Sequence, residues 1–537
     1  MNHSMIPAAD LKESSSILKR ERRADARGLN RILIIAGAAV ALYVSIGSLT
    51  WPLGRDQGIF AWVAQQILNG GTPYKDAWDI KGPLTYYCYA CALFWSNSEW
   101  SIRAFDWLLT LTCAWLIWKL ILKITPLNQF GACCGSIYFL CTYYGGGYWN
   151  TAQPDAWAGF LIAMAVYLLI GAEPAGDRRK IAASGFLFAA ATLLKPTFLI
   201  FLALPVLHWG AATSDYRKQI GTKPYVACLL AFWMTVCAML LFLHIKGALV
   251  DFVEVNRFLA LTHAGTESRH IFLEFMALPN RLGRLGLLVP VLLAPAAFWH
   301  LYRRDSIQPA VIIFAWLSLA IVMVIAQGKY WLYHWVPCVI ALAVSTGIAL
   351  EFLSLKSSVG RRWQLLAPAA FLAVVIPSSV RAIYHGEMWP VYAVGLQSRS
   401  QYEARFHTPE GTWRFPIFRD IATYIEAHSR PNDSVLIWGW DVLVNALAHR
   451  PTPSRFGYSY PLTIDGPLRN HYREVFLREL RGKLPKYIVV DARNLWELPA
   501  KSGVSLLRDF PELNSLILGS YRRVTTIGDF QVWKVLD

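Results

Sequence analysis

Long apolar runs separated by short basic clusters constrain the fold of this chain more than any other feature. A run of about 20 apolar residues spans the hydrocarbon core of a bilayer as an α-helix. Only 16% of the 537 residues are charged, against about 25% in ordinary soluble proteins. The sequence therefore predicts a mainly α, polytopic membrane protein with about 11 transmembrane helices, at residues 32–50, 102–122, 130–144, 156–170, 181–194, 198–209, 225–245, 285–301, 310–325, 332–350 and 365–383.

The basic residues between these runs predict the topology. The net charge of +16 is spread over the connecting segments rather than collected in one patch, which argues against a nucleic-acid partner. Cytoplasmic loops of membrane proteins carry the excess of lysine and arginine. One assignment places every basic cluster in the cytoplasm. In it, residues 1–31 are a cytoplasmic tail, 32–384 a transmembrane module that contacts the lipid bilayer, and 385–537 an extracytoplasmic domain.

Two of the apolar runs need separate treatment. The first, 32–50, lacks a small-residue cleavage site, and we predict a retained anchor rather than a signal peptide. A further run at 84–95 is too short to cross a bilayer unaided, so it is predicted to be an interfacial or re-entrant helix. If this run crossed the membrane, the basic clusters at 119–123 and 178–180 would lie outside, against the charge rule.

From about residue 385 the composition becomes that of a soluble domain. Segments 434–440 and 487–492 have the composition of buried strands, while 418–428 and 472–480 have helical spacing. This alternation predicts a small α/β domain. All nine cysteines precede residue 340 and none has metal-ligand spacing with a histidine, so this domain has no internal disulfide, and no obligatory metal is expected.

The polar segment 51–101, which follows the first span, carries the most informative ionisable residues. Asp56 starts an amphipathic helix, and Lys81 directly precedes the short apolar run. Ionisable groups near a bilayer tend to be functional, and a lysine beside a helix N-terminus suits a phosphate group. Two simpler roles stay open: Asp56 as a helix cap, and Lys81 reaching to lipid headgroups.

The segment RDQGIFAWVAQQILNGGTPYKDAWDIKGPLTYY, residues 55–87, is similar to the first outer loop of the GT-C glycosyltransferases of the protein O-mannosyltransferase and lipid A aminoarabinose transferase group. Members of that group read R-D-E, then an apolar helix, then D-x-x-x-K-P-P-L-x-Y-Y. Further similar motifs are QPD (153–155), LLKPT (193–197), GKYWLYHWVP (328–337) and IWGWDVLVNALAHRPTPSRFGYSYP (437–461). Two positions depart from the pattern: Gln57 stands where a second acid is usual, and KGP replaces K-P-P.

The resemblance implies a bacterial membrane glycosyltransferase that uses a polyprenyl-phosphate-linked sugar donor, inverts the anomeric centre and needs no metal or other cofactor. Asp56 would be the catalytic base that takes the proton of the acceptor hydroxyl. Cations would hold the leaving phosphate, and the candidates for donor phosphate binding are Lys81, Arg55, Arg269, Lys329 and His334. The acceptor stays open among lipopolysaccharide, other envelope polysaccharide and secreted protein. The site and the C-terminal domain would face the periplasmic side of the inner membrane.

Substrate-binding roles are predicted for Asp79, Asp155, Tyr330, Tyr333 and His263. Asp79 or Asp155 would supply the second acid that Gln57 does not. Asp155 also suits a helix cap at the mouth of its span. The simpler alternatives are a solvated loop for the residues around His263 and an interfacial aromatic belt for 328–337.

Two other classes of function stay open. A transporter or flippase for a lipid-linked intermediate would bind its cargo through Asp56 and Lys81 without chemistry. Transporters often contain internal repeats around a midplane site, which this sequence lacks, and an outer domain has no evident part in that scheme. A non-catalytic assembly subunit that keeps the fold but has lost activity is the other alternative, because Gln57 replaces an acid.

Overall fold

The computed structural model describes residues 8–125, 129–172, 178–263, 271–304, 307–356, 361–386, 388–407, 414–493 and 502–536. Helices dominate this part of the chain, as predicted, and one small sheet lies near its C-terminal end. Three short 3-10 helices, Ser48–Thr50, Pro196–Leu202 and Leu332–Trp335, interrupt the α-helices. The first sixteen α-helices of the described ranges cover the predicted membrane module: α1 Ala8–Gly47, α2 Arg55–Leu68, α3 Pro83–Trp95, α4 Glu99–Ile124, α5 Phe130–Tyr144, α6 Pro154–Ile170, α7 Arg178–Leu194, α8 Ala203–Ala211, α9 Ser214–Ile220, α10 Lys223–Ile245, α11 Leu249–His263, α12 Ile271–Leu285, α13 Leu288–Tyr302, α14 Ile307–Gln327, α15 Val336–Lys356 and α16 Arg361–Gly386.

The number of membrane-crossing helices is smaller by length and composition than the sequence predicts. Six helices of the described ranges are long and apolar enough to cross, or eight if each of two sharply bent helix pairs is one span. All eleven predicted runs fall on helices, but α5, α6 and α7 have only 15, 17 and 17 residues. A straight crossing needs about 20 residues. The figure of eleven spans therefore stays a prediction.

Helix α15 is the most enclosed of the candidate spans and packs against α5, α6 and α13. Helix α7 packs between α6 and α10. At one end of this bundle Arg103 of α4 is buried and donates hydrogen bonds to the backbone carbonyls of Trp51, Pro52 and Tyr148 and to the hydroxyl of Thr151. Because a buried guanidinium needs such acceptors, this cluster ties the start of the first outer loop to the 148–151 segment.

The predicted first outer loop consists of α2 and α3 and the segment between them, which turns at Gly70 with φ of 91°. The two helices pack against each other. Helix α3 has the predicted short length, and Phe94 and Trp95 at its end are 73% and 85% exposed, as is typical of an interfacial position. Helix α2 is instead buried over residues 57–64, because the C-terminal domain covers it.

The C-terminal domain contains the helices α17 Trp389–Ala393, α18 Arg399–Glu403, α19 Phe415–His428, α20 Leu443–Ala448, α21 Tyr460–Thr463, α22 Arg469–Gly482, α23 Gly503–Arg508 and α24 Pro511–Ser520, and the strands β1 Val435–Trp438, β2 Tyr487–Asp491, β3 Tyr521–Ile527 and β4 Phe530–Val535. The four strands form one sheet with the order β1-β2-β4-β3. Strands β1 and β2 are parallel, and β4 pairs antiparallel with both β2 and β3. The predicted strands (β1, β2) and helices (α19, α22) are confirmed; the β3–β4 hairpin was not predicted.

Candidate active site in the first outer loop

Asp56 lies in the first turn of α2 and is partly exposed. Its carboxylate forms no hydrogen bond or ion pair with any residue in the described ranges. It lies close enough to act electrostatically on Lys195, Tyr89 and Tyr458. The cap role left open for Asp56 is filled by Gln57, whose Oε1 accepts a hydrogen bond from the Gly54 amide at 2.6 Å. The Asp56 carboxylate is therefore available to a substrate.

Gln57, the residue in place of the family's second acid, is fully buried. Its Nε2 donates to the carbonyl oxygens of Tyr148, Trp149 and Thr151 at 3.0, 3.1 and 2.6 Å. A neutral amide suits this position because it offers two N–H groups to carbonyls and an oxygen to the Gly54 amide. A carboxylate would place negative charge against three acceptors. The departure from the family pattern thus has a structural explanation.

Asp79 is buried and both of its oxygens are occupied. Oδ2 accepts from the Tyr86 hydroxyl at 2.7 Å, and Oδ1 accepts from the Tyr458 hydroxyl of the C-terminal domain at 2.6 Å. Burial raises the pKa of Asp79, and the two tyrosine hydrogen bonds and Lys81 oppose the shift. The Tyr86 oxygen also accepts from the backbone amide of Lys81 at 2.9 Å. Asp79 therefore joins the C-terminal domain to the backbone that carries Lys81.

Lys81 reaches over the Phe60 ring of α2, with Nζ 5.9 Å from the ring centroid. The next residue, Gly82, lies directly against the C-terminal end of α7. Its amide donates to the Leu194 carbonyl at 3.2 Å, and a Cβ at this position would overlap the carbonyl oxygens of Leu193 and Leu194. Glycine at this position therefore allows the close approach of the two backbones. It brings the first outer loop against the break where α7 ends.

Lys195 occupies that break and is a candidate functional residue that the sequence patterns did not predict. Its Nζ donates to Asp155 Oδ1 at 2.7 Å and to Gln327 Oε1 at 2.5 Å. Burial and the neighbouring Lys81 ammonium lower the pKa of Lys195 to about 8, against the attraction of Asp155 and Asp56. An ionisable residue between two apolar runs is the signal that points to it. The LLKPT motif contains this lysine, but the pattern alone indicates only a helix break.

Three buried polar atoms around Lys195 have no hydrogen-bond partner among the residues that the structure describes. They are Asp155 Oδ2, Gln327 Nε2 and His334 Nδ1. Buried polar groups are normally satisfied, so unused ones mark places for a ligand or ordered water. His334 also interacts electrostatically with Lys195 and Lys81. Of the predicted residues, Asp155 thus contacts Lys195, and Asp56, Lys81 and His334 lie within electrostatic range of it; these residues are called the polar site.

The remaining predicted residues lie differently. Tyr333 is buried with its ring edge against His334, at 4.6 Å between ring centroids. Tyr330 packs under the Arg281 guanidinium at 3.5 Å, and Lys329 is exposed. His263 ends α11, but its side chain lies outside the described part of the chain, and Arg269 lies outside it altogether. Among the described residues of this set, Tyr333 thus contacts His334 of the polar site.

Arg55 points toward the C-terminal domain. Its Nε lies 4.0 Å from Asp441 Oδ1, and its guanidinium lies over the rings of Trp440 and Trp149 at 5.0 and 5.8 Å. Burial raises the pKa of Asp441 to about 6, against the opposing effect of Arg493 and Arg55. Phosphate binding by Arg55 stays a prediction, and these contacts also connect Arg55 to the C-terminal domain. No group of three or more His, Cys, Asp or Glu in the described segments has a metal-binding arrangement.

The fold is similar to that of solved GT-C glycosyltransferases. Residues 81–242 match the profile of the family described as dolichyl-phosphate-mannose-protein mannosyltransferase. The resemblance predicted from the sequence is thereby confirmed: the chain has the GT-C fold and is a multi-pass membrane protein. A search of curated protein sequences gave no match.

Solved structures show the similarity over nearly the whole chain. ArnT from Cupriavidus metallidurans bound to undecaprenyl phosphate has 16% identity and a TM-score of 0.58, covering 93% of this chain and 97% of that one. Its apo form has 14% identity and a TM-score of 0.54 over the same shares. The Archaeoglobus fulgidus oligosaccharyltransferase tethered to an acceptor peptide has 12% identity and a TM-score of 0.50, covering 85% of this chain and 69% of that one. At these identities the likeness establishes the fold.

Proposed function

We propose that this protein is a glycosyltransferase that moves a sugar from a polyprenyl-phosphate donor to a hydroxyl of an envelope acceptor, with inversion and without a metal ion. The observation that carries this proposal is a carboxylate without a hydrogen-bond partner among the described residues, Asp56, that acts electrostatically on Lys195, as the Lys81 ammonium also does. The ArnT structure with undecaprenyl phosphate supports a polyprenyl-phosphate donor. We place the site on the periplasmic face of the bacterial inner membrane, as the charge distribution predicts.

In the proposed reaction the acceptor oxygen attacks the anomeric carbon while the bond from that carbon to the phosphate oxygen breaks. Asp56 removes the acceptor proton as the new bond forms. Its carboxylate is free to do so because Gln57 makes the helix cap in its place. Attack from the side opposite the leaving phosphate inverts the anomeric centre.

The departing lipid phosphate gains negative charge, and Lys81 and Lys195 supply the compensating positive charge. Preorganised cations at the position where charge develops are a large contribution to catalysis. Asp155 and Gln327 fix the Lys195 ammonium by hydrogen bonds at 2.7 and 2.5 Å. Together the two lysines would do the work that a divalent metal performs in other transferases. His334 and Tyr333 would complete the donor side, while Lys329 and Arg269 stay predicted phosphate contacts.

The test uses purified full-length protein in lipid nanodiscs, a polyprenyl-phosphate sugar and an envelope extract, with polyprenyl phosphate release as the readout. Asp56→Asn removes the base, and release should fall by about 10²- to 10⁴-fold. The control is Asp76→Asn, an exposed acid of the same loop whose Oδ2 only caps a turn at the Thr72 amide. Undiminished release by Asp56→Asn would remove Asp56 from the mechanism.

Two results would favour the competing functions. Tight binding of polyprenyl phosphate by wild-type protein, without release from any donor, would indicate a non-catalytic assembly subunit. Movement of the lipid-linked sugar across a vesicle bilayer without its transfer would indicate a flippase. The unpaired carboxylate beside two lysines favours the transferase, because a cargo site has no need of a base.

A further inference from the structure

A buried cluster of charges lies where the C-terminal domain meets α2. Strands β1 and β2 are parallel neighbours, and Asp491 ends β2 while Asp441 follows β1 by three residues. Arg493 joins the two acids, with Nη2 at 2.5 Å from Asp441 Oδ2 and 2.7 Å from Asp491 Oδ2. Its Nε donates to Asp491 Oδ1 at 2.9 Å. Asp441 and Asp491 are only 2% and 0% exposed.

The second cation of this cluster comes from the membrane module. Arg493 occupies Oδ2 of Asp441, and Oδ1 faces the Arg55 Nε at 4.0 Å. Trp440, the residue before Asp441, and Trp149 lie against the Arg55 guanidinium. Arg55 and Arg493 thus supply the two positive charges that balance the two buried carboxylates. Removing one member of such a buried group leaves a charge uncompensated, which is costly.

One turn further along α2, the same domain makes a second contact. A Cβ at Gly58 would lie only 2.7 Å from the Cβ of Leu443, so α20 lies directly on the α2 backbone. Arg55 and Gly58 flank the Asp56 position, and both contact the segment that follows β1. The first turn of α2 is therefore held from the side of the C-terminal domain at two points.

We propose that Asp441, acting through Arg55, is a positioning residue that fixes the first turn of α2 and, with it, the Asp56 carboxylate. The inference rests on the proposed function of Asp56. It also gives the C-terminal domain a part in the reaction, because the domain supplies the anchor for the helix that carries the base. Displacement of a reacting group by about 1 Å is enough to cost roughly 10²-fold in rate.

The experiment compares Asp441→Asn, Arg55→Lys and the double variant in full-length protein in nanodiscs. Asp441→Asn should lower kcat for polyprenyl phosphate release by roughly 10- to 100-fold, with KM for the donor changed less than about twofold, since no donor contact is lost. Arg55→Lys leaves the pairs of Arg493 within the domain intact, so it tests the anchor without threatening the fold of the domain. The double variant should be no worse than the more impaired single variant. Asp465→Asn is the control, because Asp465 is 93% exposed and pairs only with Arg469.

A second readout does not depend on catalysis. Hydrogen–deuterium exchange at the amides of residues 56–60 should become faster in Asp441→Asn and Arg55→Lys and stay unchanged in Asp465→Asn. If wild-type protein transfers no sugar, the proposed function fails, and the exchange result still decides the anchor. Unchanged exchange in both variants, a rise in KM instead of a fall in kcat, or additive losses in the double variant would each overturn the inference.

Discussion

Two acids of the first outer loop, Asp56 and Asp79, have opposite surroundings. Asp56 is partly exposed and has no hydrogen-bond partner among the described residues, whereas Asp79 is buried and each of its oxygens accepts from a tyrosine. The same contrast extends to their neighbours. Around Lys195, polar atoms of Asp155 and Gln327 are unused, while around Asp79 the hydroxyls of Tyr86 and Tyr458 are engaged.

This contrast distinguishes, within one motif, an acid that can react from an acid that stabilises the structure. A reacting carboxylate has to exchange its solvent for a substrate, and saturated hydrogen bonds would have to break first. A supporting carboxylate gains from saturation, because an unmade bond in a buried site is costly. We therefore infer that Asp56 reacts, and that the predicted substrate role of Asp79 is replaced by an anchoring role between the loop and the C-terminal domain.

The largest effect is expected at the polar site around Lys195, where buried polar atoms of Asp155 and Gln327 have no hydrogen-bond partner among the described residues. Lys195→Met removes a cation from the leaving phosphate, and kcat for polyprenyl phosphate release should fall by about 10²- to 10³-fold. In the wild-type protein the rate should decline as the pH rises past about 8, because Lys195 then loses its proton. Lys195→Arg keeps the charge and should move this alkaline decline to higher pH. The pH–rate profiles of the three proteins provide the measurement.

An unchanged alkaline decline in Lys195→Arg would show that another group causes it. In that case the protonation of Lys195 would not distinguish the polar site from the surroundings of Asp79. Lys180→Arg is the matched control, because the Lys180 ammonium donates to the Gly171 carbonyl at 3.2 Å, near the N-terminal end of α7. Its pH–rate profile should match that of the wild-type protein.

A smaller effect, on stability rather than on rate, is expected at Asp79, whose two oxygens both accept hydrogen bonds. Asp79→Asn leaves an amide N–H against a tyrosine hydroxyl in a buried site, so the free energy of unfolding should fall by about 1–3 kcal/mol. Thermal unfolding in detergent checks this, with Asp76→Asn again as the exposed control. The loss of kcat per folded molecule should stay well below that of Asp56→Asn. Equal losses of kcat in the two variants would abolish the distinction between a reacting and a supporting acid.

An effect no larger than that of Asp79→Asn is expected at Gln57, and its size depends on pH. Gln57→Glu directs an acid at the carbonyls of Tyr148, Trp149 and Thr151, which raises the folded-state pKa of the new acid above its unfolded value of about 4.3. The protonated form still donates one hydrogen bond. Relative to wild type, stability should therefore decrease as the pH rises above about 4.3, by about 1–3 kcal/mol once the acid is ionised.

Thermal unfolding of Gln57→Glu between pH 4 and 8 measures this effect, and Gln66→Glu on the same helix is the control. A variant that is equally stable at both ends of the range would mean that the 148–151 carbonyls do not require an amide. The restoration of an acid at this position would then be tolerated, and the family's usual pattern would be compatible with this chain.

Sequence patterns predicted the helices well, because apolar runs and basic clusters are local signals. The short interfacial helix α3 and strands β1 and β2 follow from length and composition in the same way. The partners of Asp79 and Gln57 could not be predicted, since Tyr458 lies 379 residues from Asp79 and the Gln57 acceptors lie 91 to 94 residues away. Lys195 was missed for a similar reason: its proximity to Lys81 depends on the contact of Gly82 with α7.

The contact at Gly82 limits how this loop can be exchanged for the loop of a relative. Proline, the usual residue of the family at this position, has no N–H to donate to the Leu194 carbonyl and its ring would overlap that backbone. The loop and the end of α7 therefore form one interlocking unit. A chimera that imports a K-P-P loop from a relative would separate the two lysines unless it also imports the matching end of α7.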